Sequence, residues 1–205
     1  MYTILYDNKR PGFDGLLKTQ PEIVYWGVVK MNEIIKAMLE RRSVRKYKAE
    51  KPEESIINEI INCGLYAASG KNTQGVKIIA VTNKEKRDEI AEMNRMIGGW
   101  DEGFDPFYGA PVMLIVIADK SRPTYLYDGS LVMGNLMLAA HSLGLGSCWI
   151  HRAKQEFESE QGKKLLSELG IEGDWEGIGH CALGYADSET AAAPDRKPDR
   201  VYHIK

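Results

Sequence analysis

Apolar residues recur at helical spacing from position 32 onward. Ile34, Ile35, Met38 and Leu39 share one face, and Arg41 and Arg42 follow where the helix macrodipole favours positive charge. A second helix is expected after Pro52, opened by Glu53 and Glu54 and carrying Ile56, Ile57, Ile60, Ile61, Gly64 and Leu65 on one face. Residues 76–82 form a short β-rich run, 84–96 a charged helix, and 112–118 a continuous apolar run bounded by Pro111 and Asp119. The last of these reads as a strand buried on both faces. Residues 130–150 hold 21 positions without Asp, Glu, Lys or Arg, long enough to span a bilayer. They also hold Asn135, His141 and Ser142, and Gly144-Leu145-Gly146 divides them into a helix of about four turns and a strand. The reading is therefore a fully buried core helix at 130–143 and a strand at 147–151. A surface helix at 156–169 and a strand at 178–185 complete a chain in which strands and helices alternate, so the class is α/β or α+β. No repeat of fixed period is visible.

Residues 1–30 differ from the rest. They mix Tyr2, Tyr6, Phe13, Tyr25 and Trp26 with the turn formers Pro11-Gly12 and Pro21, and no period is sustained. Met31 then opens the amphipathic pattern, which leaves 1–30 as an N-terminal arm and 31–205 as the folded domain.

Composition narrows the function. The 205 residues carry 27 Lys+Arg against 29 Asp+Glu, a formal net charge of −2. A nucleic-acid partner is not expected from that balance, and any positive patch is local and aimed at something small. At 43% hydrophobic and 27% charged, the chain is an ordinary globular protein that buries roughly 70% of its unfolded surface without staples. Cys63, Cys148 and Cys181 form no CxxC pair, and an odd count fits a reducing cytosol. Asp7, Lys9 and Arg10 leave no apolar stretch for a secretory signal, so a cytoplasmic location is expected.

The positive charge is concentrated. Arg41, Arg42, Arg45, Lys46, Lys48 and Lys51 crowd residues 41–51, with the Ser43 hydroxyl between arginines. Planar guanidinium forks suit phosphate oxygens. Arg196, Lys197 and Arg200 form a second small cluster, and two such groups meeting in space would bind one phosphate. Residues 67–74, Ala-Ala-Ser-Gly-Lys-Asn-Thr-Gln, follow an apolar helix and are rich in small and hydrogen-bonding side chains. Gly177, Gly179 and Ala182 satisfy a GxGxxG/A dinucleotide fingerprint only formally, because the segment runs into a strand instead of opening a helix. His151, His180, Cys148 and Cys181 fit no metal-ligand spacing, and adjacent His180 and Cys181 point to opposite faces of a strand. No metal site is expected.

Taken in order, RRSVRKY (41–47), AASGKNTQ (67–74), GAPVMLIV (109–116), LGLGSCWI (143–150), GIGHCALGYAD (177–187) and RKP (196–198) resemble the flavin-dependent nitroreductase family over about residues 31–205. The resemblance implies an α+β, three-layer fold with a central, mostly antiparallel sheet flanked by helices, in an intertwined homodimer. Flavin mononucleotide (FMN) would lie at the subunit interface. Arg41, Arg42, Ser43 and Arg45 would hold its phosphate and ribityl chain, and Arg196 and Lys197 would close on the phosphate. Ser69, Gly70, Asn72 and Gln74 would come from the partner subunit, and Cys148, Trp149, Ile150, His151 and Arg152 would offer backbone donors to the reactive edge of the ring. The 130–143 helix would become the dimer core. Gly75 stands where the family usually has proline, and residues 1–30 lie outside the pattern.

The chemistry so implied is ping-pong: NAD(P)H reduces the flavin at N5 and leaves, and an electron-poor small molecule such as a nitroaromatic or quinone takes the electrons in the same pocket. No protein general base is nominated. The glycine-hinged aromatic stretch 98–108 is expected to supply Trp100 and Phe104 to the acceptor pocket. Two alternatives stand beside this reading: a flavin-binding or regulatory module without turnover, and a flavin-fragmenting or dehalogenating branch of the family.

Overall fold

The structure is a computed structural model and describes residues 25–26, 29–189 and 191–205. The arm at 1–30 therefore lies largely outside the described residues; within it, β1 (Tyr25–Trp26) and β2 (Val29–Lys30) pair antiparallel. Asn32 caps α1 (Glu33–Glu40), its side chain accepting the Ile35 N–H at 2.9 Å, and the Arg41 N–H closes the helix on Ala37. α2 (Glu54–Leu65) begins two residues after Pro52 and buries Ile57, Ile60 and Gly64. β3 (Val76–Val81) and α3 (Lys84–Gly98) follow, the helix capped by Asn83 and ended by Gly99 in the left-handed region, φ 67°. β4 (Val112–Asp119) is buried along all but its last residue, as a continuous apolar run requires. α4 (Tyr125–Ser142), β5 (Gly146–Ile150), α5 (Ala153–Glu158), α6 (Glu160–Glu168) and β6 (Trp175–Gly184) complete the chain.

The central sheet has the order β3-β4-β6-β5 with every pair antiparallel. Side chains alternate across β4. Met113, Ile115 and Ile117 join Ile90, Phe107, Phe157 and Leu166 on the face covered by α3, α5 and α6, while Val112, Leu114 and Val116 pack with Ile57, Ile60, Met133 and Leu136 of α2 and α4. The result is three layers of helices, sheet and helices.

Two expectations change. The single surface helix at 156–169 is two helices, because Ser159 adopts extended backbone and caps α6 by accepting the Gly162 N–H at 3.1 Å. Its first part is no surface element, since Glu156 and Phe157 are buried. α4 starts earlier than position 130 and is only half buried in the protomer, with Leu126, Tyr127 and Leu131 open to solvent. The glycines of the formal dinucleotide fingerprint serve packing: a Cβ on Gly177 would collide with the Ala153 carbonyl, and one on Gly179 with the Trp149 indole. Among the described residues, no helix is long and apolar enough to cross a membrane.

Candidate functional site

After α1 the chain turns onto the sheet edge. The Val44 N–H donates to the Ser147 carbonyl at 3.0 Å, and Ser43 and Ser147 form a parallel bridge beside β5. Tyr47 fastens the segment, its buried hydroxyl donating to the Val44 carbonyl at 2.9 Å and lying 3.3 Å from that of Ala182. Burial raises the Tyr47 phenol well above its ordinary range. Arg41, Ser43 and Arg45 converge on the inner end of this edge, around Cys148. Burial pushes that thiol up, and Arg45, the Ser43 hydroxyl and Arg41 pull it the other way. Cys181, fully enclosed, is pushed up to about 12 by burial, with Arg41 again opposing. Both thiols are thus protonated near neutrality, and neither is a nucleophile.

The cluster has unmet donors. Arg42 spends one nitrogen on the carbonyls of Leu39 and Arg41, both at 2.7 Å, but its Nε and the Nη1 of Arg41 are buried without a partner among the described residues. Buried guanidinium nitrogens are costly to leave unpaired. The donors still open at this edge are those of Ser43 and Arg45, both exposed, and together with the Arg41 and Arg42 guanidinium groups they are a set that fits a phosphate group.

Cys148 and Ile150 send their side chains into the core, and Trp149 packs over Gly179 on the other face. What β5 offers outward is backbone. It is an edge strand, and the alternation set by Ser147 directs the groups of Trp149 and His151 the same way. The chain then turns at Arg152, which is left-handed at φ 82°. This corner is held from beneath by Asn94 and Glu156, which the sequence does not single out, and by His180, considered above only as a metal ligand. The Asn94 amide donates to the His151 carbonyl at 2.9 Å and to the Glu156 carboxylate, whose other oxygen lies 2.7 Å from His180 Nε2. Asn94, Glu156 and His180 are all at most 1% exposed.

The Trp100 and Phe104 rings are neighbours, centroids 4.9 Å apart, and the Arg152 guanidinium lies 4.2 Å from the Trp100 centroid. The loop at 69–74 is elsewhere. It forms the one-turn 3-10 helix Gly70–Asn72, with Lys71, Asn72 and Gln74 at positive φ. The Gly70 N–H donates to Asp128 at 3.0 Å and the Gln74 N–H to the Ser69 hydroxyl at 3.1 Å, which fixes the loop against the start of α4. It precedes β3, on the far edge of the sheet, at the end where Val76 pairs Ala118, whereas Ser147 pairs Leu183 near the other end. Three strand spacings and about six residues of rise put the loop roughly 25 Å from the basic segment. Arg196 and Lys197 are exposed, and Arg196 donates to the Pro194 carbonyl. Among the described residues, no group of three His, Cys, Asp or Glu side chains is arranged to hold a metal ion.

A family model described as the nitroreductase family matches residues 38–97 and 100–185. The chain belongs to the nitroreductase family. A protein of Archaeoglobus fulgidus named as a candidate NADH dehydrogenase/NAD(P)H nitroreductase is 30% identical over 186 residues, 85% of this chain and 99% of that protein. One of the same name from Methanothermobacter thermautotrophicus is 31% identical over 150 residues, 69% and 72% of the respective chains. The crystal structure of a nitroreductase with bound FMN from Bacteroides fragilis superposes with a TM-score of 0.79 at 26% identity, covering 85% of this chain and all of that one. The nitroreductase fold thus extends over both the basic edge and the loop at 69–74, and the family match begins after the arm.

Proposed function

We propose that the protein is an FMN-dependent NAD(P)H oxidoreductase that works as a homodimer and passes electrons to an electron-poor small molecule, a nitroaromatic, a quinone or similar. The observation that carries this is the pair of buried, unpaired guanidinium nitrogens on Arg41 and Arg42, beside Ser43 and Arg45. With the exposed Ser43 and Arg45 they concentrate positive charge and donors beside the start of β5, which suits the phosphate of a mononucleotide. The outward backbone of Trp149 and His151 would face an attached ring, and Trp100 and Phe104 would line the acceptor pocket. When bound, the flavin supplies the two-electron relay between nicotinamide donor and acceptor. The protein would orient that ring, and its backbone N–H groups near His151 and Arg152 would stabilise negative charge on it.

Two features support the dimer. α1 buries none of its residues in the protomer, and Ile34, Met38, Leu39, Leu65, Leu126, Tyr127 and Leu131 leave α1, α2 and α4 apolar outside. Such a surface calls for a second layer. The loop at 69–74 is also farther from the basic edge of its own chain than one mononucleotide reaches, so Ser69, Gly70, Asn72 and Gln74 complete the site of the other subunit. The tail carrying Arg196 and Lys197 closes on the phosphate once the pair has formed.

Purified protein tests the reading directly. It should be yellow with about one FMN per chain, and anaerobic NAD(P)H should bleach it, with colour restored by a quinone or nitroaromatic. Colour without bleaching would make the protein a flavin-binding module, and no flavin would remove both. The arm at 1–30 is proposed to pack across the dimer or over the mouth of the site. Deleting residues 2–30 should then lower dimer stability, weaken flavin binding or change the acceptor range; a truncated protein unchanged in all three would end that idea.

A further inference from the structure

The corner at Arg152 carries more than backbone. Its φ of 82° lies where L side chains are disfavoured and glycine is not, so what arginine adds here is its side chain. That side chain lies over the Trp100 ring, and the ring is fixed independently. Gly98 leaves space that a Cβ would deny it, Gly99 turns the chain back off α3, and Arg95 Nη1 donates to the Trp100 carbonyl at 2.6 Å. Phe104 extends the shelf. From the other side Asn94 holds the His151 carbonyl, so the backbone that carries Arg152 is fixed as well as the indole.

The charge of Arg152 is unspent. No carboxylate pairs with it among the described residues; Asp101 and Glu102, close in sequence to Trp100, are exposed and act on Arg95. A guanidinium stacked on an aromatic face keeps its in-plane N–H groups available, and their fork matches an oxyanion. We infer that Arg152 selects substrates carrying an oxyanion: the ligand that stacks at this corner is planar and bears a carboxylate or phosphate group. This rests on the flavin reading and adds to it the chemical class of the substrate. The anion belongs either to the acceptor, as an aromatic carboxylate, or to the nicotinamide donor, as the 2′-phosphate that distinguishes NADPH from NADH.

The two half-reactions separate these sources. In the FMN-loaded enzyme, oxidation is followed with 4-nitrobenzoate against its neutral analogue 4-nitrobenzamide, and reduction with NADPH against NADH. Arg152→Gln should lower one of these selectivity ratios about tenfold, the size of one charge-assisted hydrogen bond, whatever happens to the absolute rates. Arg152→Lys should keep part of it, and Trp100→Leu should lose much of it by releasing the guanidinium. A fall confined to the acceptor pair assigns a carboxylate-bearing acceptor; one confined to the donor pair assigns the donor phosphate. Benzoate and benzamide titrations read by tryptophan fluorescence report on the corner whether or not flavin is bound. There, wild type should favour benzoate and Arg152→Gln should not. If neither ratio moves by more than twofold the inference is overturned, and a carboxylate-bearing acceptor is overturned if benzoate holds no advantage in wild type. Failure of the flavin reading shows separately, as absence of FMN uptake.

Discussion

Replacing Arg41 and Arg45 together with alanine weakens FMN binding by roughly a hundred- to ten-thousand-fold, the loss of two charge-assisted hydrogen bonds at about 1.5–3 kcal/mol each. Titration of FMN fluorescence on refolded, flavin-free protein measures it. The flavin-free protein should meanwhile lose little stability. Arg41 Nη1 is buried without an acceptor, so alanine removes an unpaid desolvation along with the charge, and Arg45 is exposed. The combination identifies a ligand-binding role, because a structural arginine would lower both quantities together. Normal affinity in the double variant refutes the phosphate assignment.

The second large effect is at the buried network. His180→Ala leaves the Glu156 carboxyl, itself 1% exposed, without its 2.7 Å partner in a site closed to water. Leaving a buried polar group without its partner costs about 1–3 kcal/mol. At about 2–4 °C per kcal/mol for a domain of this size, Tm should fall by roughly 2–12 °C. Glu156→Gln, which keeps shape and hydrogen-bonding capacity, should lose much less. Because Asn94 bridges Glu156 to the His151 carbonyl, the same lesion should also disturb the absorption band of bound flavin. Thermal unfolding with and without FMN checks both; a His180→Ala protein within about 1 kcal/mol of wild type would show that the network holds nothing.

How much of this was legible in the chain depends on the range of the signal. The continuous apolar run of β4 and the periodic faces of α2 report their burial locally, as does the basic cluster at 41–45. The network does not. Asn94 sits in a helix of mostly charged residues, Glu156 in what reads as a surface helix, and His180 in a strand, and their bonds join positions 24 and 62 apart. No short window contains the pairing. The break at Ser159 escaped for a related reason: no proline or glycine marks it, and the close approach of Gly162 to the Glu156 carbonyl is a tertiary fact. α4 shows the limit of periodicity. An all-round apolar helix reads as fully buried, yet the pattern cannot distinguish a face covered by its own chain from one left for another.

The separation of the basic edge from the loop at 69–74 has a genetic consequence. If each site draws on two chains, a lesion at Arg41 and Arg45 and a lesion in the loop fall on different halves of the same site. Each lesion alone gives dimers with no intact site. In a mixed dimer both lesions gather in one site and the other is whole. Random pairing makes about half the dimers mixed and so restores about a quarter of the sites. Two inactive proteins therefore complement one another when refolded together, whereas two variants damaged within the basic segment do not.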